Sequence, residues 1–334
     1  MKKLFTLLFI IGFFSLSAQN NSKNVIISKA TADWCPNCGT WGWSFMEALK
    51  EEFSDGSAIL LGVHHSGGLE NPVSNWFANN LGNTYQPQFF VNNARFSVNS
   101  GNWEQKVAEI KDEVALVSDE ESGAIIEFGD TYVDADLTIH TSLTVTPDNL
   151  PTAEYYAGIY LFENNVIWFQ SQQSSNAMHP FVLRDVMADE YYGDMFIPEL
   201  NPSGSMTIDK TYNIESNTWV PENIGLLGIL WKKDGEKYIM ENSQVIYNVG
   251  LLSSNENVIE PALVDIQVLP GTMEVSIDNP GTYDLNIYDS TGRQIYNNTL
   301  EYTISIPTTN IVDGLYHVII QSEKERFAKT IFIR

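Results

Sequence analysis

The stretch ADWCPNCGTW contains two cysteines at positions 35 and 38, and their thiols are the groups of this chain with the clearest chemistry. Cys35 and Cys38 are the only cysteines among 334 residues, so a scaffold of several disulfides is excluded. A pair with this spacing can work as a redox couple, supply half of a zinc site, or close a structural disulfide. These three alternatives make different demands on the surrounding residues.

The redox alternative requires one thiol that ionises readily. If Cys35 begins a helix, its sulfur lies at the positive end of the helix dipole, which lowers the thiol pKa. Cys38 lies one turn further on, where its thiol can resolve a mixed disulfide. Pro36 suits the first helical position, where the missing N–H costs the helix little. The pattern therefore predicts Cys35 as an exposed catalytic nucleophile and Cys38 as the catalytic resolving thiol.

The first residues, MKKLFTLLFIIGFFSLSAQN, combine two lysines, a short apolar run and small residues. This is the pattern of a secretory signal peptide, which we assign to residues 1–18. Later apolar stretches are too short or too interrupted to cross a bilayer, so we expect no membrane span in the mature chain. Export favours thiol oxidation over zinc, for which His64 or His65 could supply one further ligand. We expect no cofactor and no metal.

The formal net charge is −24 and the pI about 4.4. Such acidity argues against nucleic acid or an anionic membrane surface as a partner, because like charges repel. Acidity is also a common means of keeping a protein soluble, and that explanation is sufficient here.

Residues 24–117 alternate between strand and helix patterns. Strands are predicted at NVIIS and SAILLGVHH, and QFFVN and ARFSV flank the hairpin turn signal Asn92-Asn93. Helices are predicted from the cysteines to Phe53, over 72–81, and after the N-cap Asn102. The order β-α-β-α-β-β-α predicts a compact domain around the cysteine pair.

This order, with Trp34 before the pair and Gln86-Pro87 before QFFVN, resembles a thioredoxin-like domain. The resemblance implies an α/β fold for residues 19–118 and places Pro87 at the family's cis-proline position, which faces the disulfide. It also implies a substrate groove next to the pair, formed by Trp34, Pro36, Gln86 and Pro87.

One position departs from the family. Six residues before the first cysteine, thioredoxins proper carry a buried acid that accepts the proton of the resolving thiol. Lys29 occupies that position here. A lysine favours the thiolate rather than removing its proton, which argues for an oxidising or slowly turning-over couple.

Residues 123–250 change to period-two alternation, as in TYVDADLTIH, which is typical of half-buried antiparallel strands. We predict an all-β sandwich with a loop-rich insertion around 171–204. The segment MHPFVLRDVMADEYYGD resembles a motif of the bacterial outer-membrane protein family of the 28 kDa type, which joins a Cys-x-x-Cys region to a β domain. Its His179, Arg184 and Asp185 form a polar binding site, or Arg184 orders a long loop by pairing with an acid.

Aromatic residues are frequent near the cysteines in sequence. They could form an apolar surface that recognises polypeptide, or pack into the core and between domains. The tryptophans concerned are Trp34, Trp41, Trp43 and Trp76.

Residues 251–261 are predicted to be a linker, and residues 262–334 contain short strands separated by turns. YDLNIYDSTGRQIYNN, TNIVDGLYHVII and the final KTIFIR resemble the C-terminal sorting domain of type IX secretion. That resemblance implies the type IX machinery as a partner. It also implies export to the cell surface, the outer membrane or the medium.

The sequence thus predicts an α/β thioredoxin-like N-terminal domain, an all-β sandwich domain and a small C-terminal all-β sorting module. The expected function is thiol–disulfide exchange through Cys35 and Cys38, with protein thiols or disulfides outside the cytoplasm as partners. The alternative is a non-enzymatic surface or outer-membrane binding protein in which the pair is a stable structural disulfide.

Overall fold

A computed structural model describes most of the chain. The described residues are 22–134, 136–173, 175–196, 204–214, 218–249, 257–258, 263–269, 271–278, 281–289, 293–312, 314–322 and 325–333. The predicted signal peptide, residues 1–18, lies outside the described residues, as does most of the predicted linker, 251–261.

The N-terminal part has the alternating elements expected from its sequence pattern. They are β1 (Ile26–Ala32), α1 (Pro36–Gly39), α2 (Trp41–Glu52), β2 (Ile59–Ser66), α3 (Pro72–Asn80), β3 (Gln88–Val91), β4 (Ala94–Phe96) and α4 (Trp103–Ser118). The helix predicted from the cysteines to Phe53 is interrupted at Thr40, whose backbone leaves the helical region at φ −103° and ψ −106°. The cysteine pair therefore sits on a single separate turn, α1.

The middle part consists almost entirely of strands. They are β5 (Ala124–Phe128), β6 (Tyr132–Val133), β7 (Thr138–Pro147), β8 (Tyr155–Glu163), β9 (Val166–Trp168), β10 (Ala177–His179), β11 (Val182–Val186), β12 (Asp194–Phe196), β13 (Met206–Asn213), β14 (Ile224–Asp234) and β15 (Lys237–Ile246). A short 3-10 turn, Pro221–Asn223, precedes β14. The insertion predicted around 171–204 carries short strands of its own.

The C-terminal part is also all β. Its strands are β16 (Asn257–Val258), β17 (Val264–Leu269), β18 (Thr272–Ile277), β19 (Tyr283–Asp289), β20 (Gln294–Leu300), β21 (Thr303–Pro307), β22 (Gly314–Gln321) and β23 (Glu325–Ile333). They form one sheet in the order β16-β23-β22-β19-β20 and another in the order β17-β18-β21. Apolar residues of these strands, among them Met273, Leu285 and Val318, make a core of their own.

One large sheet joins the N-terminal and middle parts. Its strands run in the order β15-β14-β8-β11-β2-β1-β3-β4, with β12 also paired to β8. β11 connects the two parts: it pairs parallel to β2 at Val182 and Gly62, and antiparallel to β8. The sandwich predicted for residues 123–250 therefore shares one of its sheets with the N-terminal part.

Close packing at Gly62 explains this junction. The Gly62 amide donates a 2.7 Å hydrogen bond to the Phe181 carbonyl. A Cβ at Gly62 would lie 3.0 Å from the Pro180 carbonyl oxygen, closer than side chains normally pack, so glycine permits the approach.

Strand β8 is buried on both faces, as all nine of its residues are buried. On one face, Tyr160 packs in a core with the α3 residue Phe77. On the other, Leu161 packs in a core with β5, β7 and β13, which form the facing sheet.

Among the described residues, no helix is long and apolar enough to cross a membrane.

The shared core gives a stability prediction. Phe77 is fully buried and its ring lies 5.6 Å from that of Trp231 on β14. Phe77→Ala should lower the free energy of unfolding by about 3–5 kcal/mol, because it removes apolar contacts and leaves a cavity. Urea unfolding followed by fluorescence and circular dichroism measures this, with exposed Leu116→Ala on α4 as control. Because both parts share this core, the whole transition of residues 22–249 should shift; a shift confined to one of two separate transitions would contradict it.

Candidate functional site

Cys35 and Cys38 form a disulfide at the end of β1. Cys35 caps α1, and its Sγ accepts a 3.1 Å hydrogen bond from the Cys38 backbone N–H, while Pro36 occupies the first turn. The exposed fraction is 4% for Cys35 and 0% for Cys38. The prediction that Cys35 is exposed is therefore wrong for the disulfide form, because Ala32 and the Gln86 main chain pack against the pair. Cys35 is still the less buried of the two.

The four residues expected to form a groove lie around the pair. Trp34 is 52% exposed and its Nε1 donates a 2.9 Å hydrogen bond to Ser66 Oγ. Pro36 is exposed and Gln86 is half-buried, with its carbonyl oxygen 3.8 Å from Cys35 Sγ. Pro87 is buried, and the Gln86-Pro87 peptide bond is cis, as the sequence resemblance implied.

A loop from the middle part holds the other flank of the motif. We call residues 168–173, which begin at the last residue of strand β9, the clamp loop. The buried side-chain amide of Gln170 shares its two N–H groups among the carbonyls of Ala32, Asp33 and Cys35, at 3.3, 2.9 and 3.2 Å. Each of these carbonyls also accepts from a backbone N–H, so the amide adds a second bond to each and ties the clamp loop to the start of α1.

Further bonds extend the clamp along the motif. The Ser171 backbone N–H donates to the Asp33 carbonyl at 2.7 Å, and Gln173 Nε2 donates to the Gly39 carbonyl at 2.7 Å. A Cβ at Gly39 would overlap the Ser171 carbonyl, so a glycine is required there. The clamp loop thus fixes both ends of the turn that carries the cysteines.

The carboxylate of Asp33 links the clamp loop to the loop after β2. Its Oδ2 accepts hydrogen bonds from Trp168 Nε1 at 2.9 Å and from the Gly68 backbone N–H at 2.8 Å. Neither the clamp loop nor this role of Asp33 was predicted. The polar run QSQQSS is typical of an exposed loop, and its contact with residues 32–39 joins positions more than 130 residues apart.

Lys29 lies behind the disulfide, inside the protein. Its side chain is 5% exposed, its Nζ donates to the Cys38 carbonyl at 3.3 Å, and it stands 5.7 Å above the Trp43 ring. Burial lowers the pKa of Lys29 to about 7, against an opposing effect of the Glu47 carboxylate. Part of the Lys29 population is therefore a neutral amine near neutral pH, so this lysine can accept a proton. The sequence argument did not attribute that capacity to it.

Two histidines complete a buried basic cluster, which we define as Lys29, His64 and His179. The rings of His64 and His179 are 5.0 Å apart in an edge-on arrangement. Among the described residues, His64 Nδ1 and His179 Nε2 have no hydrogen-bond partner. Burial, and then the charge of Lys29, lower the pKa of His179 to about 4. Burial likewise holds the pKa of His64 well below its ordinary value, so both rings are neutral at pH 7.

The polar site considered for His179, Arg184 and Asp185 is not formed. Arg184 makes a two-point ion pair with the buried Glu163, with contacts of 2.9 and 2.5 Å. Asp185 accepts a 2.6 Å bond from the Tyr212 hydroxyl, whereas His179 packs with His64. Arg184 thus pairs with an acid, as the alternative considered from the sequence expected, but the pair joins strands β11 and β8 rather than ordering a loop.

The tryptophans do not form a single recognition surface. Trp34 is exposed beside the disulfide, and Trp43 is half-buried against His179. Trp41 packs on Phe89, and Trp76 packs on Trp231 within the shared core. Within the described part of the chain, no three histidine, cysteine or acidic residues come close enough to hold a metal ion together.

Comparisons with known proteins bear on the C-terminal module and on the fold. Residues 270–334 match the family described as the secretion system C-terminal sorting domain. The protein is exported. This sorting domain directs it to the cell surface, the outer membrane or the medium, and implies that secretion machinery handles it. No curated protein sequence matches the chain.

Two solved structures are similar over different extents. HBP35 of Porphyromonas gingivalis superposes with a TM-score of 0.58 at 17% identity, covering 94% of this chain and 99% of that one. At this identity the likeness concerns the fold alone. A domain of the outer membrane lipoprotein Omp28 from Porphyromonas gingivalis matches with a TM-score of 0.28 at 14% identity, covering 38% of this chain and 88% of that one.

The hydrogen bonds of the clamp loop predict different losses of stability for two substitutions. Gln170→Ala removes a buried side-chain amide that bonds three carbonyls of the motif, each of which keeps one backbone donor. The lost hydrogen bonds should lower the free energy of unfolding by about 1–3 kcal/mol. Gln173→Ala removes one hydrogen bond made by an exposed residue and should cost less. Chemical unfolding of the two variants measures the difference. Equal, negligible losses would contradict a structural role for the clamp loop.

The histidines of the basic cluster give a pH prediction. A histidine whose pKa is lower in the folded than in the unfolded chain weakens the fold as pH decreases, because the unfolded chain binds the proton more readily. For His179 this loss begins near pH 6.5 and continues to about pH 4. His179→Gln should therefore reduce the loss of unfolding free energy between pH 6.5 and 5 by about 1–2 kcal/mol. His140→Gln, outside the cluster, is the control; the same effect in that variant would refute the assignment.

Proposed function

We propose that this exported protein exchanges thiols and disulfides through Cys35 and Cys38, with protein thiols or disulfides outside the cytoplasm as partners. The observation that carries the proposal is the position of the Gln86 carbonyl, 3.8 Å from Cys35 Sγ. A substrate chain that reaches this sulfur passes along the Gln86 backbone, which orients it for attack. Trp34, Pro36, Gln86 and Pro87 form the groove in this proposal.

The fold proposed for this chemistry is a thioredoxin-like unit at residues 19–118. It is supported by the strand order β2-β1-β3-β4, in which β1 runs parallel to β2 and antiparallel to β3. The Cys pair follows β1 and the Gln86-Pro87 turn precedes β3, so the central strands bring the two together. We keep residues 123–250 as a β-sandwich unit, 251–261 as a linker and 262–334 as the sorting module.

The two cysteines have different roles in the proposed reaction. Cys35 is the sulfur that a substrate reaches first, because it is the less buried. When the disulfide opens, the Cys38 N–H, 3.1 Å from Cys35 Sγ, stabilises a thiolate there. Cys38, fully buried behind it, attacks or leaves within the protein and releases the substrate.

A second candidate function is supported by the burial of both sulfurs and by the clamp loop. A pair that is covered on one flank by Gln170 and on another by Gln86 could serve only to hold the motif together. The protein would then be a non-enzymatic surface or outer-membrane binding protein. Its disulfide would have a reduction potential below about −300 mV and would resist cellular thiols.

A trapping experiment separates the two. Cys38→Ser leaves the attacking sulfur without its resolving partner, so mixed disulfides with partner proteins should accumulate and appear on non-reducing gels. Cys35→Ser, the matched control, should accumulate none, because Cys38 is fully buried. Mass spectrometry of the trapped bands then identifies the partners. Absence of adducts in Cys38→Ser, together with a potential below about −300 mV, would leave the structural alternative.

A further inference from the structure

Opening the disulfide places a negative charge on the buried sulfur of Cys38. Its sulfur is 0% exposed, and the bond breaks with the electron pair on one sulfur as an anion. An unpaired charge in a dry interior is costly, so the anion must be protonated or paired at once. Solvent does not reach this sulfur, and the proton must come from a group of the protein or a water held inside it.

Lys29 is the group in place to supply that proton. Its Nζ already donates to the carbonyl of Cys38 itself, at 3.3 Å. Among the described residues it makes no ion pair, and Glu47, the acid that attracts its charge, pairs with Lys50 at the surface. The lysine is therefore held beside Cys38 with no carboxylate fixing its proton.

A small cavity adjoins the amine. It is lined by Lys29, Thr31, Trp43, Met46, Glu47, Gly62, His64, His179 and Pro180. Its volume is about 10 Å³, roughly the room that a single water molecule needs. The unpartnered His64 Nδ1 and His179 Nε2 offer such a water hydrogen bonds.

We propose that the Lys29 amino group exchanges a proton with the Cys38 sulfur each time the disulfide opens or closes. The inference rests on the proposed thiol–disulfide function and assigns the proton transfer within it. No second ionisable residue is needed for the step, since His64 and His179 serve as neutral neighbours.

The step balances in atoms and electrons. A substrate thiolate attacks Cys35 Sγ, and the Cys35–Cys38 bond breaks with its electron pair on Cys38. The Lys29 ammonium gives Cys38 a proton and becomes a neutral amine. A second substrate thiolate then attacks the substrate sulfur of the mixed disulfide and releases Cys35. The substrate dithiol has lost two electrons to the cysteine pair, and its two protons pass to solvent, which reprotonates Lys29 and Cys35.

Burial makes the lysine suited to both directions. With a pKa near 7, the side chain is divided between ammonium and amine at neutral pH. The ammonium donates to Cys38 when the disulfide opens, and the amine accepts the Cys38 proton when it closes. The charged or titratable groups that face Lys29 are Glu47, His64 and His179.

Reduction of the disulfide of the full chain by dithiothreitol, followed by stopped-flow fluorescence, tests the proposal between pH 5 and 9. The rate is divided by the thiolate fraction of dithiothreitol at each pH. For the natural chain, this corrected rate should fall as pH rises through about 7, because the ammonium is lost. Lys29→Met should abolish this fall of the corrected rate with pH. It should also slow the corrected rate below pH 7 at least about tenfold, as expected when a general acid is removed.

Thr31→Val is the matched control, since Thr31 lies on the same face of β1, lines the same cavity and carries no ionisable group. Thr31→Val should keep the fall of the corrected rate near pH 7. An unchanged pH profile in Lys29→Met overturns the assignment of Lys29, while a disulfide that dithiothreitol does not open overturns the proposed function itself.

A measurement on the natural sequence covers the case in which Lys29→Met does not fold. In full chain labelled with ¹³C-lysine, the Lys29 Cε resonance is titrated in the oxidised and in the reduced protein. The titration midpoint should move when the Cys pair is reduced, because the amine then shares a proton with Cys38. An identical midpoint in the two forms overturns the proposal.

Discussion

The backbone contact between Gly62 and the Pro180–Phe181 segment is the constraint on which the remaining structure depends. It adds β11 to the edge of β2 and so extends the N-terminal sheet into β8, β14 and β15. The hairpin of β9 and β10 comes immediately before this contact in the chain. That junction therefore places the hairpin next to the cysteine turn. The hydrogen bonds of Gln170 to the motif follow from this position.

The same junction brings together the basic cluster. Lys29 lies on β1, His64 on β2 and His179 on β10, so two neighbouring strands and the hairpin each supply one member. Because the hairpin covers this region, the lysine and the histidine rings are removed from water and their pKa values fall. The acid–base properties behind the disulfide are therefore a consequence of how the middle part docks on the N-terminal strands.

The sequence predicted the local features well and the distant ones poorly. The apolar run of β2 and the turn at Asn92 follow from residue types at short spacing, and the cis peptide before Pro87 was implied by the family resemblance. The partnership of Gln170 with Cys35 spans 135 positions, and a glutamine in a polar loop carries no signal of its burial. The burial of Cys35 and the lowered pKa of Lys29 were not predicted for the same reason, since both depend on what another part of the chain covers.

The shared sheet also has a consequence for evolution and engineering. A small domain is often treated as a separate unit that can be cut at a loop and joined to other proteins. Here, a fragment ending near residue 118 would expose the apolar edge of β2 and leave the motif carbonyls of Ala32, Asp33 and Cys35 without the Gln170 amide. The cysteine turn and the middle part must therefore change together, so an insertion between β9 and β11 alters the site as directly as a substitution within it.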